Sequence, residues 1–152
     1  MGGGARMTMN AEKLVAAAVA AAKNAYAPYS NFHVGAALLL DNGDVVTGAN
    51  FENASYGMTL CAETVAIAKA NSDGQMRRIL AIAVAGGPKA GDGGTTLGAE
   101  AITPCGRCRQ VIKEVADEVA IDLPVYCAKQ GGHDTHLLSE LLPYGFGPAS
   151  LK

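Results

Sequence analysis

Three cysteines in two short motifs, Cys61-Ala62-Glu63 and Pro104-Cys105-Gly106-Arg107-Cys108, constrain this chain more than any other feature. If they act together, the fold must carry two distant stretches of sequence to one point in space. Three thiolates and one carboxylate are the minimum equipment for a zinc ion that activates water. A structural zinc closes its tetrahedron with four protein ligands, whereas a catalytic one keeps a position open. Cys61, Cys105 and Cys108 would be three ligands. Glu63, two residues after the first, is placed to receive a proton from water and pass it on.

A C-x-x-C pair alone is compatible with redox chemistry, a structural zinc or chance. The C-x-E and the Pro directly before the pair narrow the choice. H-x-E…P-C-x-x-C is a described signature of zinc deaminases, in which the Glu is an acid/base and not a ligand, and Cys61 stands where that signature has His, its three-cysteine variant. The competing reading is a closed four-thiolate site completed by Cys127, which the chain's four cysteines permit. Cys127 lies in Pro124-Val-Tyr-Cys-Ala128, an apolar run that reads as a buried strand, where a free Cys packs as a small hydrophobe. A closed site would also leave Glu63 without a task. Disulfides are disfavoured, since no signal-peptide pattern is present and the cysteine spacing suits metal binding in a cytosolic setting.

With 152 residues the chain is one domain by length, large enough for a real core. Residues 1–9 are expected to be a flexible tail, opening Met1-Gly-Gly-Gly-Ala-Arg6, and residues 10–152 a single catalytic domain. Hydrophobic residues make up 49% and charged ones 17%, which excludes a disordered chain. A formal net charge of −2 argues against broad nucleic-acid binding. No apolar run approaches the length of a membrane span.

The pattern predicts alternating elements. An Ala-rich helix runs from about Asn10 to Ala25, with Asn10 as cap and Pro28 beyond its end. Val34 to Leu40, the turn Asp41-Asn42-Gly43-Asp44 and Val45 to Ala49 read as a β-hairpin. A helix is expected from Thr59 to about Asn71, a strand over Ile79 to Ala85, a Gly-rich loop over Gly86 to Gly98, and a helix over Gly106 to Val119. A strand over Pro124 to Ala128 and a short helix over His136 to Leu142 complete the order α-β-β-α-β-α-β-α. A hairpin followed by β-α units suggests a mixed sheet with helices on both faces. Both motifs then open helices, whose N-terminal partial positive charge favours thiolates. Pro104 is expected in the first turn of the third helix.

The chain resembles the small homotetrameric, zinc-dependent cytidine deaminases over nearly its whole length. The resemblance rests on Ala27-Pro-Tyr-Ser-Asn-Phe-His-Val-Gly-Ala-Ala37, Asn50-Phe-Glu-Asn-Ala-Ser-Tyr56, Cys61-Ala-Glu63, Pro104-Cys-Gly-Arg-Cys-Arg-Gln110 and Leu141-Leu-Pro-Tyr-Gly-Phe-Gly-Pro148, in that order. It implies an α/β fold, three-layer α-β-α with a five-stranded mixed sheet. It also implies one zinc per subunit and hydrolysis of cytidine and deoxycytidine to uridine and deoxyuridine with release of ammonia, a pyrimidine-salvage reaction of the cytoplasm. Cys61, Cys105 and Cys108 are then the metal ligands, and Glu63 moves protons from the attacking water to N3 and the leaving amine. Asn50 and Glu52 hold the ribose, chiefly at its 3′-hydroxyl. The main chain at Ala62 meets the base edge and Phe32 packs on the nucleoside. Ala54 belongs to the substrate-binding stretch, and Tyr56 and Phe146 reach the site of a neighbouring subunit. No nucleic acid or membrane partner is implied.

Three departures accompany the resemblance. Thr64 follows Cys-Ala-Glu where Arg is common, so another cation is needed to offset three thiolates; Arg107 is the candidate, with Arg109 beside it. The Gly86 to Gly98 loop is longer than typical and precedes the second motif. His33 follows Phe32 where other residues are usual, and is assigned no role. Fungal-type blasticidin S deaminases also lack Arg after Cys-Ala-Glu, so the same chemistry on a modified cytosine nucleoside is the rival reading. A non-enzymatic zinc-binding module is the rival from another class.

Overall fold

In a computed structural model the backbone is described over residues 2–151 and side chains from Asn10 to Leu151. The flexible tail expected over 1–9 thus lies outside the residues described in full. Helix α1 spans Gly2–Ala21 and tightens into a single 3-10 turn at Ala22–Asn24 before Ala25 turns extended. Its buried side chains, Ala11, Leu14, Ala18 and Ala21, recur every three to four residues, the spacing of one helix face.

The predicted hairpin forms as β1 (Phe32–Leu40) and β2 (Val45–Ala49). Gly43 at φ 89° and the bond from Leu40 N–H to Asp44 O close its turn. Helix α2 covers Ala62–Ser72, β3 Ile79–Pro88 and α3 Gly106–Val119. Strand β4 covers Pro124–Lys129, β5 Gly132–Leu137 and α4 Leu138–Leu141. The five strands lie in the order β2-β1-β3-β4-β5, with β3 and β4 parallel and the other neighbours antiparallel.

Strand alternation sorts side chains onto two faces. Leu38, Ile82, Val84, Val125 and Cys127 pack with Ile67 of α2 and Ile112 and Val115 of α3. Ala37, Ala81, Ala83, Ala85 and Ala128 face Leu14 and Ala18 of α1. The sheet is therefore the middle of three layers. Small residues on the α1 side let that helix lie close, and a Cβ at Gly35 would stand 2.0 Å from the carbonyl oxygen of Ala18.

Three expectations need correction. Asn10 does not cap the first helix, because α1 runs from Gly2 and passes through it. His136 and Leu137 end a strand, and the helix that follows is only Leu138–Leu141. Strand β5 is a polar edge strand, paired to β4 around Gln130 and Gly131, the latter at φ 80°. Pro104 does not enter the first turn of α3. It precedes Cys105, the N-cap, and packs in the interior. Topology then sets the location of the site. Phe32 at the start of β1 pairs with Pro88 at the end of β3, and Ala49 at the end of β2 pairs with Gly35. The start of β1 and the ends of β2 and β3 thus share one edge, and the chain leaves that edge towards α2 and α3.

Candidate metal and active site

Cys61 is the N-cap of α2 and Cys105 the N-cap of α3, both extended, with Cys108 buried one turn into α3. The Sγ atoms of Cys61, Cys105 and Cys108 all lie within 4.8 Å of one another. Zn–S bonds of about 2.3 Å in a tetrahedron require sulfurs about 3.8 Å apart. Cys61 and Cys105 are 3.7 Å apart, so the donor set fits zinc in both chemistry and spacing. Among the described residues this is the group of metal-binding side chains, and Cys127 is not in it. Cys127 is buried in β4 beneath α3. That removes the fourth thiolate which a closed structural site would need.

Of the three thiols, Cys61 is biased towards the thiolate that ligation needs. Hydrogen bonding from Cys108 pushes Cys61 down to about 6, against the opposing effect of burial and with help from Cys105 and the charge of Arg107. Cys108, the partner that keeps the proton, is pushed upward by the same bond and by burial. The Thr64 hydroxyl lies 3.4 Å from the Cys108 sulfur and works in the other direction.

Glu63 is the second residue of α2 and only 3% exposed. Burial is the main cause that pushes its carboxyl up to about 7, and the negative charge of Cys61 adds to it. A carboxyl poised near neutrality both accepts and returns protons at working pH.

These groups open onto a cleft of about 420 Å³ lined by Phe32, Asn50, Glu52, Cys61, Ala62, Glu63 and Cys105 among others. That volume is in the range of small-molecule sites. Asn50 is pinned from both ends of its amide. Its Oδ1 accepts from Val34 N–H at 2.9 Å and its Nδ2 donates to Phe32 O at 2.9 Å. Each of those atoms keeps one further hydrogen-bonding position. Glu52 accepts from the N–H groups of Tyr29 and Ser30 at 3.0 and 3.1 Å and from the Ser30 hydroxyl. Burial works to raise its pKa, and these hydrogen bonds outweigh it, holding the carboxyl below its ordinary value. A larger groove of about 660 Å³ runs beside Lys113, Asp117 and Tyr144. It contains none of the thiols or Glu63, so chemistry rather than size selects the smaller cleft.

Not every expected residue lines this cleft. Tyr56, 75% exposed, borders a smaller adjoining cleft with Tyr29, Ser30, Glu52 and Thr59. Ala54 is exposed in the loop before it. Phe146 is exposed near the C-terminus, where its carbonyl accepts from Gln110. Arg107 is exposed and reaches the site through its charge on Cys61. Arg109 is spent elsewhere: it donates to Pro104 O, Leu141 O and Thr103 Oγ1 and stitches the second motif to α4. His33 is buried, and its Nδ1 pairs with Gly93 O at 3.0 Å, tethering the Gly-rich loop.

Sequence reasoning missed Ser30, Val34, Thr59, Leu60, Ile102 and Thr103 in the cleft wall. Ile102 carried no motif. Its signal is Gly86, where an added Cβ would meet Ile102 Cδ1 at 2.4 Å and Val34 Cγ2 at 3.0 Å. The first residues of the expected loop, Gly86 to Pro88, extend β3, and Lys89 and Thr95 pair across the rest.

Comparison with known proteins points the same way. The model of the cytidine and deoxycytidylate deaminase zinc-binding region matches residues 8–121. The chain is 44% identical over 139 residues to a cytidine deaminase of Halalkalibacterium halodurans, covering 91% of this chain and 95% of that one. It is 46% identical over 131 residues to one of Mycobacterium tuberculosis, covering 86% and 84%. A crystal structure of cytidine deaminase from Burkholderia pseudomallei superposes with a TM-score of 0.75 at 43% identity, covering 88% of this chain and 97% of that one.

Proposed function

We infer that this chain, which belongs to the cytidine and deoxycytidylate deaminase family, catalyses the zinc-dependent hydrolytic deamination of cytidine, and of deoxycytidine, releasing ammonia. The observation that carries this reading is the buried Glu63 beside three convergent thiols, in a cleft that Asn50 and Glu52 also line.

Zinc held by Cys61, Cys105 and Cys108 supplies Lewis-acid activation of water. The protein does the rest. Glu63 takes the proton of the attacking water as oxygen adds to C4 of the base. It delivers that proton to N3, which loses conjugation as C4 becomes tetrahedral. It then carries the second proton to the amine, which leaves as ammonia. One carboxyl within reach of all three positions serves every transfer. The N–H groups at the start of α2, at Ala62, face the base edge, and Phe32 covers the base from the β1 side. Asn50 and Glu52 receive the sugar hydroxyls.

Arg107 offsets part of the thiolate charge through space, and Arg109 keeps the motif in place. Exposed aromatics support a homotetramer in which Tyr56 and Phe146 complete a neighbouring copy's site. Both are more than half exposed, and apolar groups left in water gain by being covered. Four free cysteines, three of them needed as thiolates, suit the reducing cytoplasm and a salvage role there. Among the described residues no helix is long and apolar enough to cross a membrane.

Neither rival is favoured. A structural zinc module requires a fourth thiolate that Cys127 does not supply, and the relatives described above are cytidine deaminases rather than blasticidin S deaminases. The test is a substrate panel of cytidine, deoxycytidine and blasticidin S with zinc-loaded protein. Turnover of the first two and little of the third is expected. Preferential turnover of blasticidin S would overturn the substrate assignment.

A further inference from the structure

The resemblance assigns the ribose to Asn50 and Glu52. The structure places a third residue behind Glu52. The turn from Ala27 to Asn31 is closed by Asn31 N–H to Ala27 O at 3.0 Å, with Asn31 at φ 57°. It is laced to the Glu52 segment by Glu52 N–H to Tyr26 O at 2.8 Å and Tyr26 N–H to Asn50 O at 2.9 Å. So folded, the turn aims three donors at one carboxylate.

Counting lone pairs shows what is left for a ligand. The Tyr29 and Ser30 N–H groups occupy both acceptor positions of Glu52 Oε1. The Ser30 hydroxyl occupies one on Oε2. One acceptor position on Oε2 remains. Ser30 Oγ in turn accepts from Phe32 N–H at 3.1 Å. A single hydroxyl therefore links the Glu52 carboxylate to the residue that covers the base.

We propose that Ser30 is a positioning residue that fixes Oε2 of Glu52 for the 3′-hydroxyl of the substrate sugar, so that discrimination for a 3′-hydroxyl nucleoside depends on it. This rests on the reading of Glu52 as the sugar acceptor. Without the Ser30 hydroxyl, no other donor among the described residues holds Oε2, and the carboxylate is left the two backbone contacts to Oε1. A Ser30 that merely closes a surface turn would affect stability and treat all substrates alike.

The experiment compares kcat/KM for cytidine and 3′-deoxycytidine in the zinc-loaded parent, Ser30→Ala, Ser30→Thr and Glu52→Gln. Ser30→Ala is expected to lose about tenfold on cytidine, the scale of one hydrogen bond to a charged group, and less than about twofold on 3′-deoxycytidine. Ser30→Thr restores the hydroxyl and most of the discrimination. Ser30→Cys, close in size and a weak donor, is expected to behave like Ser30→Ala and serves if the alanine variant folds poorly. Equal losses on both substrates in Ser30→Ala and Ser30→Cys, with Glu52→Gln losing mainly on cytidine, overturn the role of Ser30 and leave Glu52 as the sugar acceptor. Equal losses on both substrates in Glu52→Gln overturn the reading of Glu52 itself and the role of Ser30 with it.

Discussion

Glu63→Gln should remove the proton transfers proposed for this residue, and it should also stabilise the protein once the metal is stripped. The folded chain holds the Glu63 proton up to about pH 7, whereas the carboxyl's ordinary value is 4.5. Between those values the folded state carries a proton that the unfolded state has released, so stability falls as pH rises. Below about 4.5 the penalty is absent, and above about 7 it is complete and flat. Each pKa unit corresponds to about 1.4 kcal/mol, so the difference of some two and a half units amounts to about 3 kcal/mol. Glu63 is only 3% exposed, so solvent screening removes little of this. Glutamine mimics the protonated acid and never ionises. Cys61 titrates in a neighbouring range and its charge acts on Glu63, so the difference between the two proteins reports Glu63 together with its coupling to Cys61. Urea unfolding of chelator-treated, reduced parent and Glu63→Gln from pH 4 to pH 8 measures it. The variant's advantage should be near zero at pH 4 and grow to about 3 kcal/mol at pH 8. A difference that stays constant across this range refutes the argument that burial holds the proton.

Other perturbations test the scaffold and the metal shell. Gly48→Ala would place a Cβ 2.6 Å from Ala62 O and Ala66 N, pushing α2 off the sheet. A cost of about 1–3 kcal/mol is expected, read as a lower melting temperature together with weaker zinc retention against a chelator; no change in either would show that α2 yields freely. Thr64→Val removes the hydroxyl 3.4 Å from Cys108 Sγ at nearly constant volume, and chelator competition should show weaker zinc binding at neutral pH. Arg107→Ala should raise the pH at which Cys61 of the metal-free protein is alkylated, since Arg107 helps lower that thiol; an unmoved alkylation profile removes Arg107 as the compensating cation. Cys127→Ala should cost about 1 kcal/mol in folding and leave one zinc per chain, whereas loss of zinc would revive a four-thiolate site.

The hairpin, the bounds of α3 and the cluster of three cysteines able to hold a metal were legible because each has a local cause. An Asp-Asn-Gly-Asp turn, a 3.6-residue apolar period and cysteines at two helix starts all leave marks within a few residues. Strand β5 left none: Gly132–Leu137 is polar and half-exposed, and it is extended because β4 lacks another partner on that edge. The same limit applies to the cleft wall. Ile102 and Thr103 reach it because β3 ends at the edge where β1 begins, a fact of topology rather than of neighbouring residues. Arg109 was read as a charge near zinc, and three of its five N–H groups also bind Pro104, Leu141 and Thr103, which only the fold brings within reach. His33, given no task from sequence, is buried because the Gly-rich loop folds back to place Gly93 O against it.

The most direct test is to mix zinc-loaded protein with cytidine and follow loss of cytosine absorbance alongside ammonia release, with zinc-loaded Glu63→Gln as the control. The account predicts one ammonia per uridine formed by the parent and no turnover by the variant, with zinc bound to both. Parent protein that holds zinc and leaves cytidine intact, or a variant as active as the parent, would contradict it.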